Sequence, residues 1–100
     1  MTDAIELKIV AVIRSVKEPD QIVLFGSRAR GDSGLTSDID LAVRGRGWTD
    51  QDLNEVRHRL EEEVKTPLKF DVLRYEAVTN VRLKRNIETT GRVLYESGKN

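Results

Sequence analysis

Apolar residues open the chain at helical spacing: Ile5, Ile9, Val12, Ile13 and Val16 recur along one face. This predicts a helix over residues 3–17, with Asp3 and Glu6 placed like a capping box and Pro19-Asp20 as its break. The run QIVLF (21–25) is short, β-branched and aromatic, which reads as a buried strand. Gly26 ends it, and the Gly- and Ser-rich segment 31–37 reads as loop. DIDLAVR (38–44) then alternates, with Ile39, Leu41 and Val43 on one face and Asp38, Asp40 and Ala42 on the other. After a turn at 45–47, Thr49 and Asp52 cap a second long helix whose stripe is Leu53, Val56, Leu60 and Val64. Pro67 closes it. KFDVLR (69–74) predicts a third strand, residues 76–89 a last helix with Val78, Val81 and Ile87 inward, and Gly91 a helix-ending glycine. RVLYE (92–96) predicts an edge-like fourth strand, and 97–100 a frayed tail. The fold class expected is α/β (α+β): one domain over 1–100, a small mixed sheet of about four strands with helices packed on it.

Composition narrows the function classes. The chain has 100 residues, 17 basic and 17 acidic, for a formal net charge of zero. A protein that coats nucleic acid carries a basic excess, so direct nucleic-acid binding is not expected. With no cysteine, disulfides, thiolate catalysis and Cys-ligated zinc are excluded, in keeping with a reducing cytoplasm. No segment approaches the ~20 apolar residues of a membrane span, and the acidic, charge-interrupted N-terminus makes a poor signal peptide.

The chemistry concentrates in FGSRARGDSGLTSDIDLAV (25–43). Asp38 and Asp40, two apart on a strand, emerge from one face with Ile39 anchored behind them. Carboxylates held so close repel unless a cation lies between them. Hard oxygen donors on a rigid strand suit Mg²⁺ or Mn²⁺ rather than zinc. Asp71 is a third acid on the third strand. It joins the pair if the strands are neighbours, and three such carboxylates can hold the two ions used for in-line phosphoryl transfer. Gly26 and Ser27, at the end of the first strand, offer a bare backbone, amides and a hydroxyl to a phosphate, and Arg28 and Arg30 add positive charge. No Walker or dinucleotide-binding glycine signature is present.

A Gly-Ser pair, a ten-residue spacer and Asp-x-Asp on a strand resemble the signature of the polymerase-β-like nucleotidyltransferase superfamily. Within it the stretch is similar to the minimal nucleotidyltransferase family, with Asp71 in KFDVL matching the third carboxylate. The resemblance runs from residue 3 to 96 without departure. It implies that Asp38 and Asp40 ligate two Mg²⁺ ions, that Asp71 ligates the catalytic one and helps activate the attacking hydroxyl, and that Gly26 and Ser27 hold the β- and γ-phosphates. It further implies ATP as substrate and a HEPN-family toxin encoded alongside as partner and acceptor. The chain would be the antitoxin, transferring AMP to a toxin tyrosine. Two other readings stay open: an antitoxin that neutralises by binding alone, and a nucleotidyltransferase acting on a small molecule such as an aminoglycoside.

The remaining charged residues read as surface. His58 lies between two arginines on a solvated helix face, and Glu61, Glu62 and Glu63 form a charge run at a helix end. Asp32 and Ser37 shape the loop before Asp38. Trp48 staples the start of the second long helix. Arg82, Lys84 and Arg85 make one side of the last helix basic, a solvated face unless a nucleotide or acidic partner meets it.

Overall fold

The computed structural model describes residues 3–26 and 38–98. Helix α1 (Asp3–Val16) leads into strand β1 (Gln21–Phe25), followed by β2 (Ile39–Arg44), α2 (Asp50–Glu63), β3 (Phe70–Arg74), a 3-10 turn (Tyr75–Ala77), α3 (Val81–Thr89) and β4 (Arg92–Glu96). The strands form one sheet in the order β3-β2-β1-β4. β1 runs antiparallel to β2 and to β4, while β2 and β3 are parallel, so the sheet is mixed. The parallel pair is joined by α2, as a crossover connection requires.

Strand alternation sorts the core into two layers. Ile22 and Leu24 of β1, Ile39, Leu41 and Val43 of β2, and Val72 of β3 turn toward α1 and α2, meeting Ile9, Val12, Ile13, Leu53, Val56 and Leu60. The opposite face carries Val23, Phe25 and Ala42, covered by Tyr75 and Ile87. α2 starts on a full capping box: the Thr49 hydroxyl accepts from the Asp52 amide at 3.1 Å, and the Asp52 carboxylate accepts from the Thr49 amide at 2.9 Å. Trp48, just before that cap, is 2 % exposed and packs in the same layer as Leu53, a hydrophobic staple as the sequence suggests.

Ion pairs tie the outer layer together. Lys8 meets Glu63, Lys17 meets Asp52, Arg59 meets Glu55, Arg74 meets Asp50 and Arg92 meets Glu6. Both sheet edges are guarded. On β3 the Arg57 guanidinium donates to the outward Val72 carbonyl at 2.5 Å, and on β4 the register shifts at a bulge opposite Ile22 and Val23.

Three local expectations need correction. The last helix does not begin at 76: Tyr75–Ala77 form a 3-10 turn, and Asn80 caps α3 by accepting from the Leu83 amide at 3.0 Å. Val81, expected inward, is therefore the first helical residue and 70 % exposed; Ile87 is buried as expected, with Leu83 and Val78 partly buried beside it. Gly91 is not in a left-handed conformation; positive φ among the described residues occurs only at Gly26 and Gly47. Gly91 is required instead for close packing, because a Cβ there would overlap the Ile87 carbonyl oxygen of α3 and lie 2.5 Å from Val23 Cγ1. Glu6, placed by its spacing in a capping box, instead accepts from Arg92 Nη1 at 2.9 Å.

Candidate functional site

The acids gather where β2 and β3 begin. Parallel pairing sets Asp40 directly beside Asp71, and Ile39 beside Phe70. Asp40 lies two residues before Ala42, and Asp71 two before Leu73, so both project on the face of the smaller core layer. Asp38 precedes β2 with the same parity. Asp38 and Asp71 are exposed, whereas Asp40 is half-buried. Burial, then the charges of Asp71 and Asp38, push the Asp40 carboxyl above its ordinary value.

Gly26 closes the site from β1. Phe25 pairs with Asp40, and the chain turns immediately afterwards through Gly26 at φ 78°. A Cβ built there would fall 3.3 Å from the Asp40 carboxyl carbon and inside the van der Waals contact of Oδ2. The missing side chain is thus what lets the Asp40 carboxylate lie against the end of β1. Ser27, Arg28 and Arg30, together with Asp32 and Ser37, lie outside the described residues.

The donor set is all carboxylate oxygen, which suits a hard divalent cation. As they stand, no three His, Cys, Asp or Glu side chains among the described residues are close enough to hold a metal ion. The fit is nonetheless chemically sound. Asp40 is half-buried with an unfavourable excess of like charge around it, which a cation would relieve, and Asp38 and Asp71 are exposed beside it.

Three further residues share this face. Arg44 lies two positions beyond Ala42, about 13 Å along β2 from Asp40. Its guanidinium sits 4.3 Å from the centre of the Tyr75 ring, and Lys84 of α3 sits 5.3 Å from the same ring. The period-2 pattern of β2 places Arg44 on the acid face; nothing local in the sequence announces that Tyr75 folds back beneath it. His58 is elsewhere, exposed on α2 and 3.1 Å from Glu62. Among the described residues no helix is long and apolar enough to cross a membrane.

Comparison with known proteins agrees with this architecture. The family model described as polymerase beta, nucleotidyltransferase, matches residues 7–100. No curated protein matches the chain. Among solved structures, a toxin–antitoxin with AMP-PNP superposes with TM-score 0.78 at 24 % identity, covering 93 % of this chain and 74 % of that one. A toxin–antitoxin MntA-HpeT variant carrying two Asp→Glu substitutions gives TM-score 0.76 at 21 % identity, with coverage of 93 % and 74 %. A Tyr→Ala variant of MntA-HpeT gives 0.76 at 24 % identity, covering 93 % and 73 %. These similarities establish a shared fold.

Proposed function

Because the chain belongs to the polymerase beta nucleotidyltransferase family, we propose that it transfers AMP from ATP to a tyrosine hydroxyl of a HEPN-type toxin encoded beside it. In this reading it is the antitoxin of the pair. The observation that carries the reading is the lateral pairing of Asp40 with Asp71, with Gly26 closing on the Asp40 carboxylate. The AMP-PNP of one similar toxin–antitoxin structure supports a nucleotide substrate, and the toxin–antitoxin character of the similar structures supports a toxin as partner. A cytoplasmic location agrees with ATP as substrate and with the absence of cysteine.

Asp38, Asp40 and Asp71 are the residues that would hold two Mg²⁺ ions, or Mn²⁺ in their place, and those ions would supply Lewis-acid stabilisation of charge on the α-phosphate. Gly26 presents backbone without a side chain, so the phosphates can approach closely. With Ser27 it would hold the β- and γ-phosphates, and Arg28 and Arg30 would add positive charge next to them in sequence. The acceptor oxygen forms a bond to the α-phosphorus as the bond to the bridging oxygen breaks. Pyrophosphate leaves with that electron pair. Asp71, exposed beside Asp40, would take the hydroxyl proton.

The test uses ATP labelled in turn on the α- and the γ-phosphate, with the toxin and Mg²⁺. Transfer of the α-label but not the γ-label to the toxin is expected. Transfer of the γ-label would make the chain a kinase instead, and transfer of neither would remove the catalytic reading for that partner.

A further inference from the structure

The two sides of the sheet treat their charges differently. On the α1 and α2 side the cations are largely matched by carboxylates, as in Lys17–Asp52 and Arg59–Glu55. On the acid face Arg44, Arg82, Lys84 and Arg85 are all exposed, and none of them forms an ion pair among the described residues. Glu76, which accepts from the Gly45 amide, and Glu88 of α3 lie on the same side, so four cations stand against two carboxylates there; in a chain of zero net charge, this is a local surplus rather than a general basic character. Nor is it diffuse. Arg44 and Lys84 are held along the Tyr75 ring, so part of their side-chain freedom is already lost before anything docks. Val81, 70 % exposed, adds an aliphatic contact one residue from Arg82 and one helical turn from Arg85.

We propose that α3 together with Arg44 is the docking surface for the acceptor protein, which meets it with an acidic surface. The identity of that protein rests on the AMP-transfer reading above; the sign and position of the surface do not. The surface lies on the same face as Asp40 and Asp71, about 13 Å along β2 from the acids. A protein seated there can present a hydroxyl to them. That distance along β2 also separates it from the end of the strand where Asp40 and Gly26 meet. A protein fits better than a nucleic acid. Single-stranded nucleic acid needs exposed rings for stacking, and the aromatics of this face, Phe25 and Tyr75, are 6 % and 7 % exposed. Exposed arginines around an aliphatic residue are instead what protein interfaces use.

The test is the affinity of the purified toxin encoded beside this chain, measured by calorimetry in EDTA so that no chemistry intervenes. The variant is Arg82→Glu with Arg85→Glu, both on the outer side of α3 and away from the core. The wild-type chain is expected to bind the toxin with an affinity that falls steeply with salt. The variant should weaken it by roughly tenfold or more, leave ATP affinity unchanged, and be rescued by Arg82→Lys with Arg85→Lys. Binding that persists in the variant, or a loss of ATP affinity instead, would overturn the assignment. So would a wild-type chain that does not bind the toxin. A fluorescent single-stranded RNA is titrated in parallel; if the variant loses RNA but keeps the toxin, the surface belongs to nucleic acid. If the toxin binds through the patch yet receives no AMP, the docking surface stands and the transfer reading falls. If AMP is transferred and the variant is unaffected, the reverse holds.

Discussion

Replacing Gly26 by alanine should damage the site in a way that an equivalent backbone insult elsewhere does not. Two costs attach to the change. The first is conformational: φ is 78°, and a Cβ in the left-handed region costs about 1–2 kcal/mol. The second is local: the new Cβ falls 3.3 Å from the Asp40 carboxyl carbon and overlaps Oδ2, so Asp40 must rotate away from its position beside Asp71. Gly47 supplies the control, because it has φ 83° with nothing within 4 Å of an added Cβ. Gly47→Ala therefore carries the first cost alone. Gly47→Ala should lose about 1–2 kcal/mol and Gly26→Ala at least as much, and each kcal/mol lowers Tm by roughly 4–8 °C in a domain of this size. Only Gly26→Ala should also weaken Mn²⁺ binding, by roughly 10–100-fold, the range seen when support for a metal ligand is removed. Thermal melts in EDTA and an Mn²⁺ titration followed by electron paramagnetic resonance separate the two. Equal Mn²⁺ affinity in both variants would refute the reasoning, since Asp40 would then not depend on the bare backbone of Gly26.

Other changes have outcomes set by the same geometry. Gly91→Ala places a Cβ 2.5 Å from Val23 Cγ1 and should cost about 1–3 kcal/mol by overpacking, visible as a lower Tm with Mn²⁺ affinity unchanged. Ile39, fully buried between the two acids, should lose about 0.5–1.5 kcal/mol as Val and 2–5 kcal/mol as Ala, read from urea unfolding. Asp40→Asn removes a half-buried charge crowded by Asp71 and Asp38; Tm in EDTA should rise by a few degrees, while the Tm gain on adding Mg²⁺ disappears. The Arg92 hydrogen bond holds the Glu6 carboxyl below its ordinary value. That contribution is fully present above the unfolded Glu pKa of about 4.3 and is lost as pH falls through the lower folded value. The Tm difference between wild type and Arg92→Gln should accordingly be constant near neutrality and shrink below about pH 4.

The parts of the fold written in short-range pattern were legible from the residues. The stripe from Leu53 to Leu60, the Thr49–Asp52 cap and the alternation of DIDLAVR each follow from local periodicity, and the structure forms all three. That Asp38 and Asp40 share a face is fixed by the same period. That Asp71 sits beside Asp40 is not: it depends on which strands pair, and parallel pairing through the α2 crossover settles it. Val78 and Val81 mimic a helical stripe, so the pattern alone starts α3 too early. The Asn80 cap and the packing of Tyr75 under Arg44 and Lys84 decide the boundary instead. Gly91 shows the limit in part: the Ile87 carbonyl at the end of α3 leaves no room for a side chain there, a local constraint, while the close approach of Val23 comes from far away in sequence.

The most direct measurement is the intact mass of the toxin encoded beside this chain after incubation with ATP and Mg²⁺, comparing wild type with the Asp38→Asn, Asp40→Asn double variant. The account predicts whole AMP units added by wild type and none by the variant, although both still bind the toxin. An unchanged toxin mass with the wild-type chain, in a complex that neutralises the toxin all the same, would contradict it and leave an antitoxin that acts by binding alone.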